Sequence, residues 1–223
     1  DSLRRLGVER IDLYQMHWPA GDGTPLEAYW QELLDLKREG KVRAVGLSNH
    51  NLAQLQLAES LGHADTLQPP FSAIQRGAGA DLIPWCAGNG TGVIVYSPMQ
   101  SGLLTGGFSV ARARSLPADD WRARNAEFTS PGIERNLALA DAFKPIAERH
   151  GTTVAAVAAG WTLAWPGVTG AIVGARNAAQ VDGLLGAAVL ELDGEDMDFI
   201  ADAIERTGAG TGPLRPPEEE SDA

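Results

Sequence analysis

Short apolar runs closed by turn signals alternate along this chain with stretches whose apolar residues recur at three- and four-residue spacing. The first run is Ile11-Asp12-Leu13-Tyr14-Gln15-Met16-His17, with Gly7 before it and Trp18-Pro19 and Gly21-Asp22-Gly23 after it. It is too rich in apolar and aromatic residues for a strand with one wet face. It predicts a strand covered on both sides, as inside parallel sheets. Residues 42–47, 66–75, 92–96 and 171–173 predict four more strands, the 66–75 strand shortened or made irregular by Pro69-Pro70. Helical spacing fills the intervals. Leu26, Tyr29, Trp30, Leu33 and Leu34 share one helix that Pro25 opens and Gly40 ends. Asn51 is placed to cap a helix over 52–61, and Asn177 one over 178–185. Further helices are predicted over 81–87, 133–150, 153–165 and 192–204, the last capped by Asp193 or a neighbour. Leu3 and Leu6, closed by Gly7, predict a short helical remnant at the start.

Strand and helix in alternation mean linked βαβ units and a parallel sheet. Two segments break the rhythm. Residues 101–131 lack periodicity and have the length of a functional flap or a partly disordered loop. From Gly208 to the acidic end, Glu218-Glu219-Glu220-Ser221-Asp222-Ala223, a disordered tail is expected, leaving 1–207 as one domain.

Composition narrows the classes. At 223 residues the chain can bury a sizeable core. Its net charge of -11 argues against a nucleic-acid partner. Cys86 is the single cysteine, so no internal disulfide can form. A reducing, cytoplasmic setting is expected, with Cys86 as a small core residue. There is no apolar run long enough to span a membrane, and no signal peptide is expected. His50, His63 and His150 lack metal-ligand spacing and are expected to face solvent; no metal site is expected.

In a parallel α/β sheet, the carboxyl ends of the strands share one face, where ligands bind. Here those ends offer His17, Ser48-Asn49, Gln75, Tyr96-Ser97 and Gly174-Ala175-Arg176. The set holds no paired carboxylates and no serine nucleophile. It suits a flat, polar, partly aromatic ligand. The amides can clamp a carboxamide, Tyr96 can stack on a ring, and Arg176 before a helix N-terminus can hold a phosphate.

At these positions the chain resembles the aldo-keto reductase family, NADPH-dependent carbonyl reductases built on a (β/α)8 barrel. The matching stretches are Leu6-Gly7 with residues 11–19, residues 40–49, Gln68-Pro69-Pro70-Phe71, Tyr96-Ser97-Pro98-Met99 with residues 102–106, and Val173-Gly174-Ala175-Arg176. The resemblance implies that His17 donates a hydrogen bond to the substrate carbonyl. It implies that Ser48, Asn49 and Gln75 hold the nicotinamide carboxamide and that Tyr96 stacks on the ring. Ser97, Met99, Ser101 and Leu103 would wrap the pyrophosphate, and Gly174, Arg176 and Gln180 the 2′-phosphate. Many members carry an asparagine four residues after Gln180, where this chain has Leu184. Trp18 and Trp121 are candidates to line the substrate pocket.

The family's proton-donor tyrosine, with its lysine and aspartate, belongs to the first three βα units, and this sequence begins just before the fourth strand. The resemblance therefore implies a partial barrel of about five parallel strands. Its expected function is reduction of a small-molecule aldehyde or ketone by NADPH within a complete barrel. Two alternatives stand beside it. One is an inactive remnant that at most binds a dinucleotide or a protein partner. The other is a binding protein of the potassium-channel β-subunit type. Oligomeric state is not legible.

Overall fold

The computed structural model describes residues 1–217. Five parallel strands form one sheet in sequence order: β1 (Ile11–Met16), β2 (Val42–Ser48), β3 (Thr66–Gln68), β4 (Gly92–Tyr96) and β5 (Val168–Ile172). Parallel neighbours need crossovers, and crossovers are right-handed. When each strand adds on the same side of the last, all crossovers fall on one face. That is the connectivity of a barrel wall. A doubly wound sheet reverses its order instead.

The helical layer comprises α1 (Ser2–Leu6), α2 (Leu26–Arg38), α3 (Leu52–Leu61), α4 (Leu82–Asn89), α5 (Val110–Arg114), α6 (Gly132–Ala142), α7 (Lys144–Arg149), α8 (Val154–Leu163), α9 (Ala178–Leu185) and α10 (Gly194–Thr207). Asn51 and Asp193 each close a capping box, with Gln54 and Asp196 respectively. Side chains on the helix-facing side of the sheet, Val45, Leu47, Leu67, Val93 and Val95, are wholly buried. Phe71 stacks on Trp161 at 5.4 Å, and Trp165 meets both rings edge-on. On the opposite side Gln15, Thr66, Gln68, Ile94 and Tyr96 are only partly buried.

Several expectations change. The first strand is not covered on both sides: no residue of β1 is buried. It is an edge strand, and among the described residues nothing pairs with the outer edge of β1 or β5. The third strand stops at Gln68, because Pro69 and Pro70 follow and proline has no N–H for the ladder. Gln75 is therefore not a strand end. The helix expected over 133–150 is broken at Phe143, since Pro145 lacks the N–H that would continue it. The segment 101–131 is folded, with α5, two 3-10 turns and two buried phenylalanines, Phe108 and Phe128, packed edge-on at 5.6 Å.

Of the three histidines expected in solvent, His63 and His150 are exposed and His50 is not. His50 is buried, bonded to the Ser48 carbonyl at 2.8 Å and the Tyr29 hydroxyl at 2.7 Å. His150 lies 2.8 Å from a carboxylate oxygen of the fully buried Asp196, which also pairs with Arg149. The segment from 208, expected to be a loose tail, is fastened as far as Arg215, whose guanidinium pairs with Asp198 and Asp202 of α10. The buried Arg76 donates to the carbonyls of Ala73, Ala209, Gly212 and Pro213, and Thr211 exchanges backbone bonds with Arg76 and Ile74. The acidic residues 218–223 lie outside the described residues.

Candidate cofactor and active site

The carboxyl ends of β1 to β4 are tied together by side chains. Asn49, one residue past β2, adopts a left-handed backbone with φ 62°. Its amide nitrogen donates to the His17 carbonyl at 2.9 Å and to Ser48 Oγ at 3.1 Å. Its amide oxygen accepts the Tyr96 hydroxyl at 2.6 Å. Ser48 Oγ donates to the Gln68 carbonyl at 2.8 Å. Tyr96 is partly desolvated, and this raises its phenol pKa, so the phenol remains a donor to Asn49. His17, Ser48, Asn49 and Tyr96 thus meet at one rim.

Gln75 does not join them. It is exposed, its backbone bridges to Thr211, and its side-chain oxygen lies 3.5 Å from Gln100 Nε2. The amide at the end of β3 is that of Gln68, which stands opposite Ser48 in the β2–β3 register. In the sequence Gln68 stands only within the matching stretch Gln68-Pro69-Pro70-Phe71, with no role of its own. The signal was present: two prolines directly after it end the strand there.

Beyond Tyr96 the chain turns through Ser97, Gln100 and Ser101, all with positive φ, and Gly102. This turn forms one wall of a groove of ≈570 Å³, within the usual range of ligand sites. Tyr96, Ser97, Met99, Ser101, Gly174, Arg176 and Gln180 all line it. Leu103 does not; it is buried in the core. Gln180 accepts the Arg176 backbone N–H at 2.7 Å and so braces the start of α9. Leu184 is buried and offers no polar contact.

Arg112 and Arg122 from the 101–131 segment also face the groove. Arg122 is paired to Asp120 at 2.6 Å, and its hydrogen bonds hold the Asp120 carboxyl down at about 2. Arg112 lies over the Phe108 ring at 5.2 Å. Among the described residues neither Arg112 nor Arg176 has a carboxylate partner. Two unpaired guanidinium groups at one groove suit a phosphorylated ligand in a chain that is acidic overall. Trp18 and Trp121 are both more than half exposed. Trp18 sits beside His17 at 5.9 Å, and Trp121 packs edge-on against Phe128 at 5.6 Å, outside the groove lining.

The family model described as "Aldo/keto reductase family" matches residues 1–205. The chain belongs to that family. A curated relative, the aldo-keto reductase YhdN of Bacillus subtilis, is 30% identical over 208 residues, 93% of this chain and 62% of the relative. The NADH-specific methylglyoxal reductase of Escherichia coli is 30% identical over 92% of this chain and 63% of its own length. Among solved structures, the glycerol dehydrogenase of Gluconobacter oxydans superposes with a TM-score of 0.87 at 35% identity. That match covers 98% of this chain and 65% of the dehydrogenase. A thermostable aldo-keto reductase at 24% identity and a TM-score of 0.67 shares the fold. The chain thus spans under two thirds of the length of these relatives. Within this aldo-keto reductase chain all three tyrosine hydroxyls are engaged: Tyr14 with Ser2 at 3.1 Å, Tyr29 with His50, and Tyr96 with Asn49.

Proposed function

We propose that this chain forms the cofactor-binding wall of an NADPH-dependent reductase acting on an aldehyde or ketone. The observation that carries the reading is the continuity of two features. The bonded rim of His17, Asn49 and Tyr96 leads directly into a groove holding two guanidinium groups without acid partners among the described residues. A dinucleotide laid along it would place its nicotinamide at Tyr96 and its phosphates at the Ser97–Gly102 turn. The adenosine end would reach Arg176 and the start of α9. When bound, the reduced nicotinamide supplies the hydride. His17, exposed at the end of β1, is placed to donate a hydrogen bond to a carbonyl oxygen beside it. Gln68 replaces Gln75 as the amide for the carboxamide, because only Gln68 shares the rim with Ser48.

Reduction also needs an acid for the carbonyl oxygen, worth ~10²–10⁴-fold. No tyrosine here is free to be one. The unpaired edges of β1 and β5 are the places where further βα units would close the barrel and bring that acid. The same observation favours a second reading, in which the chain alone binds dinucleotide without turnover.

Titration of the chain with NADPH and NADH, followed by tryptophan quenching, tests the groove that both readings share, and no quenching by either would overturn both. Turnover of a generic aldehyde by the chain alone would exclude the second reading and the need for an acid from further βα units. Arg176→Ala should weaken NADPH by about tenfold and NADH by much less, since only NADPH carries the 2′-phosphate. Equal losses would remove the phosphate contact from the proposal and leave NADH as the better candidate.

A further inference from the structure

We infer that Gln15 is a positioning residue, which reaches across β2 through the gap at Gly46 and turns the Gln68 amide so that its oxygen faces the ligand. This rests on the dinucleotide reading above. Gln15, Gly46 and Thr66 form one cross-strand row, for Gln15 pairs with Gly46 and Gly46 with Thr66. β1 and β3 stand two strand spacings apart, about 9.5 Å. Even so, Gln15 Nε2 donates to Thr66 Oγ1 at 3.0 Å. The reach is possible because the residue between them has no side chain. A Cβ on Gly46 would collide with the Thr66 hydroxyl and carbonyl.

The second end of the Gln15 amide decides the polarity. Its oxygen accepts Gln68 Nε2 at 2.8 Å. A primary amide carries donor and acceptor on opposite flanks, so a nitrogen held by Gln15 leaves the oxygen as the end open to a ligand. The neighbouring groups are already engaged. Ser48 Oγ donates to the Gln68 carbonyl, and both ends of the Asn49 amide have protein partners. Gln68 Oε1 is thus the acceptor left at this rim, matched to the N–H of a carboxamide. Without Gln15 the amide could rotate and present its nitrogen, which repels that N–H.

The test compares Gln15→Leu and Gln15→Glu in the full chain. Dissociation constants are measured for NADPH and for its 3-acetylpyridine analogue, in which a methyl ketone replaces the carboxamide. Gln15→Leu should weaken NADPH about tenfold, the size of one misplaced hydrogen bond, and change the analogue less than about twofold. Gln15→Glu, which still accepts from Gln68 Nε2, should restore NADPH affinity to within about threefold of wild type. An equal loss for both ligands would reduce Gln15 to a structural residue and overturn the inference, as would no loss for either. A Glu variant weaker than the Leu variant would show the opposite amide polarity and also overturn it. Wild-type chain that binds neither dinucleotide would sink the underlying reading, a result distinct from these.

Discussion

Replacing Asn49 tests whether the rim is a mechanical joint between strands. Two quantities are lost in Asn49→Ala. The first is backbone tolerance: φ is 62°, where asparagine sits readily and alanine at a cost of about 1 kcal/mol. The second is bonding, namely the donor to the His17 carbonyl on β1 and the acceptor of the Tyr96 hydroxyl on β4. At about 1 kcal/mol each, these bring the total to about 3 kcal/mol. Asn49→Gly loses the bonds but keeps the backbone free, so it should be about 1 kcal/mol less damaging than alanine. Urea unfolding provides the measurement. A 3 kcal/mol loss moves the midpoint by about 1.5 M at the usual slopes. A double-mutant cycle with Tyr96→Phe should return about 1 kcal/mol of coupling, because that hydroxyl's partner is Asn49. Zero coupling, or alanine as stable as glycine at position 49, would refute the reasoning.

His50 gives a pH prediction with a definite sign. Burial lowers its folded pKa below the ordinary 6.5, and its ring donates to Ser48 and accepts from Tyr29 as a neutral imidazole. Above pH 6.5 it is neutral in both states and its contribution is complete. As pH falls below 6.5 the unfolded chain gains a proton first, so stability is lost toward acid. Wild type should therefore lose more stability between pH 7.5 and 5.5 than His50→Asn does; equal slopes would clear His50 of the effect. Arg76→Met should free the 209–213 strap and cost on the order of 3 kcal/mol, because four carbonyls lose a charged donor whose own pKa burial has lowered to about 10. Hydrogen exchange at the Thr211 amide should accelerate while that of the α8 amides does not; unchanged protection at Thr211 would show that the strap holds without Arg76.

The parts legible in the sequence share one property: each depends on residues close together in the chain. The capping residues Asn51, Asn177 and Asp193, the strand ends at Ser48 and Tyr96, and the βα alternation were all readable, because local hydrogen bonding and hydrophobic period determine them. Gln75 was misplaced although Pro69-Pro70 offered the correction, because the apolar pattern continues through Phe71 and Ile74. Those two side chains are buried beyond the end of β3, Phe71 against Trp161 of α8, and no strand period shows that. His50 looks like a surface residue in the sequence, since its partner Tyr29 is 21 positions away.

Local sequence settled the alternation of strands and helices, the residues that cap α3, α9 and α10, and the polar groups that end β2 and β4. It could do so because those choices are made within a few residues by backbone sterics and side-chain period. The tertiary structure alone decided that β1 is an edge, that Arg76 binds a distant strap, and that Gln15 reaches Thr66 over a glycine. Each of these depends on strand register and on what packs beyond the sheet, distances that close only when segments far apart in the chain are brought side by side.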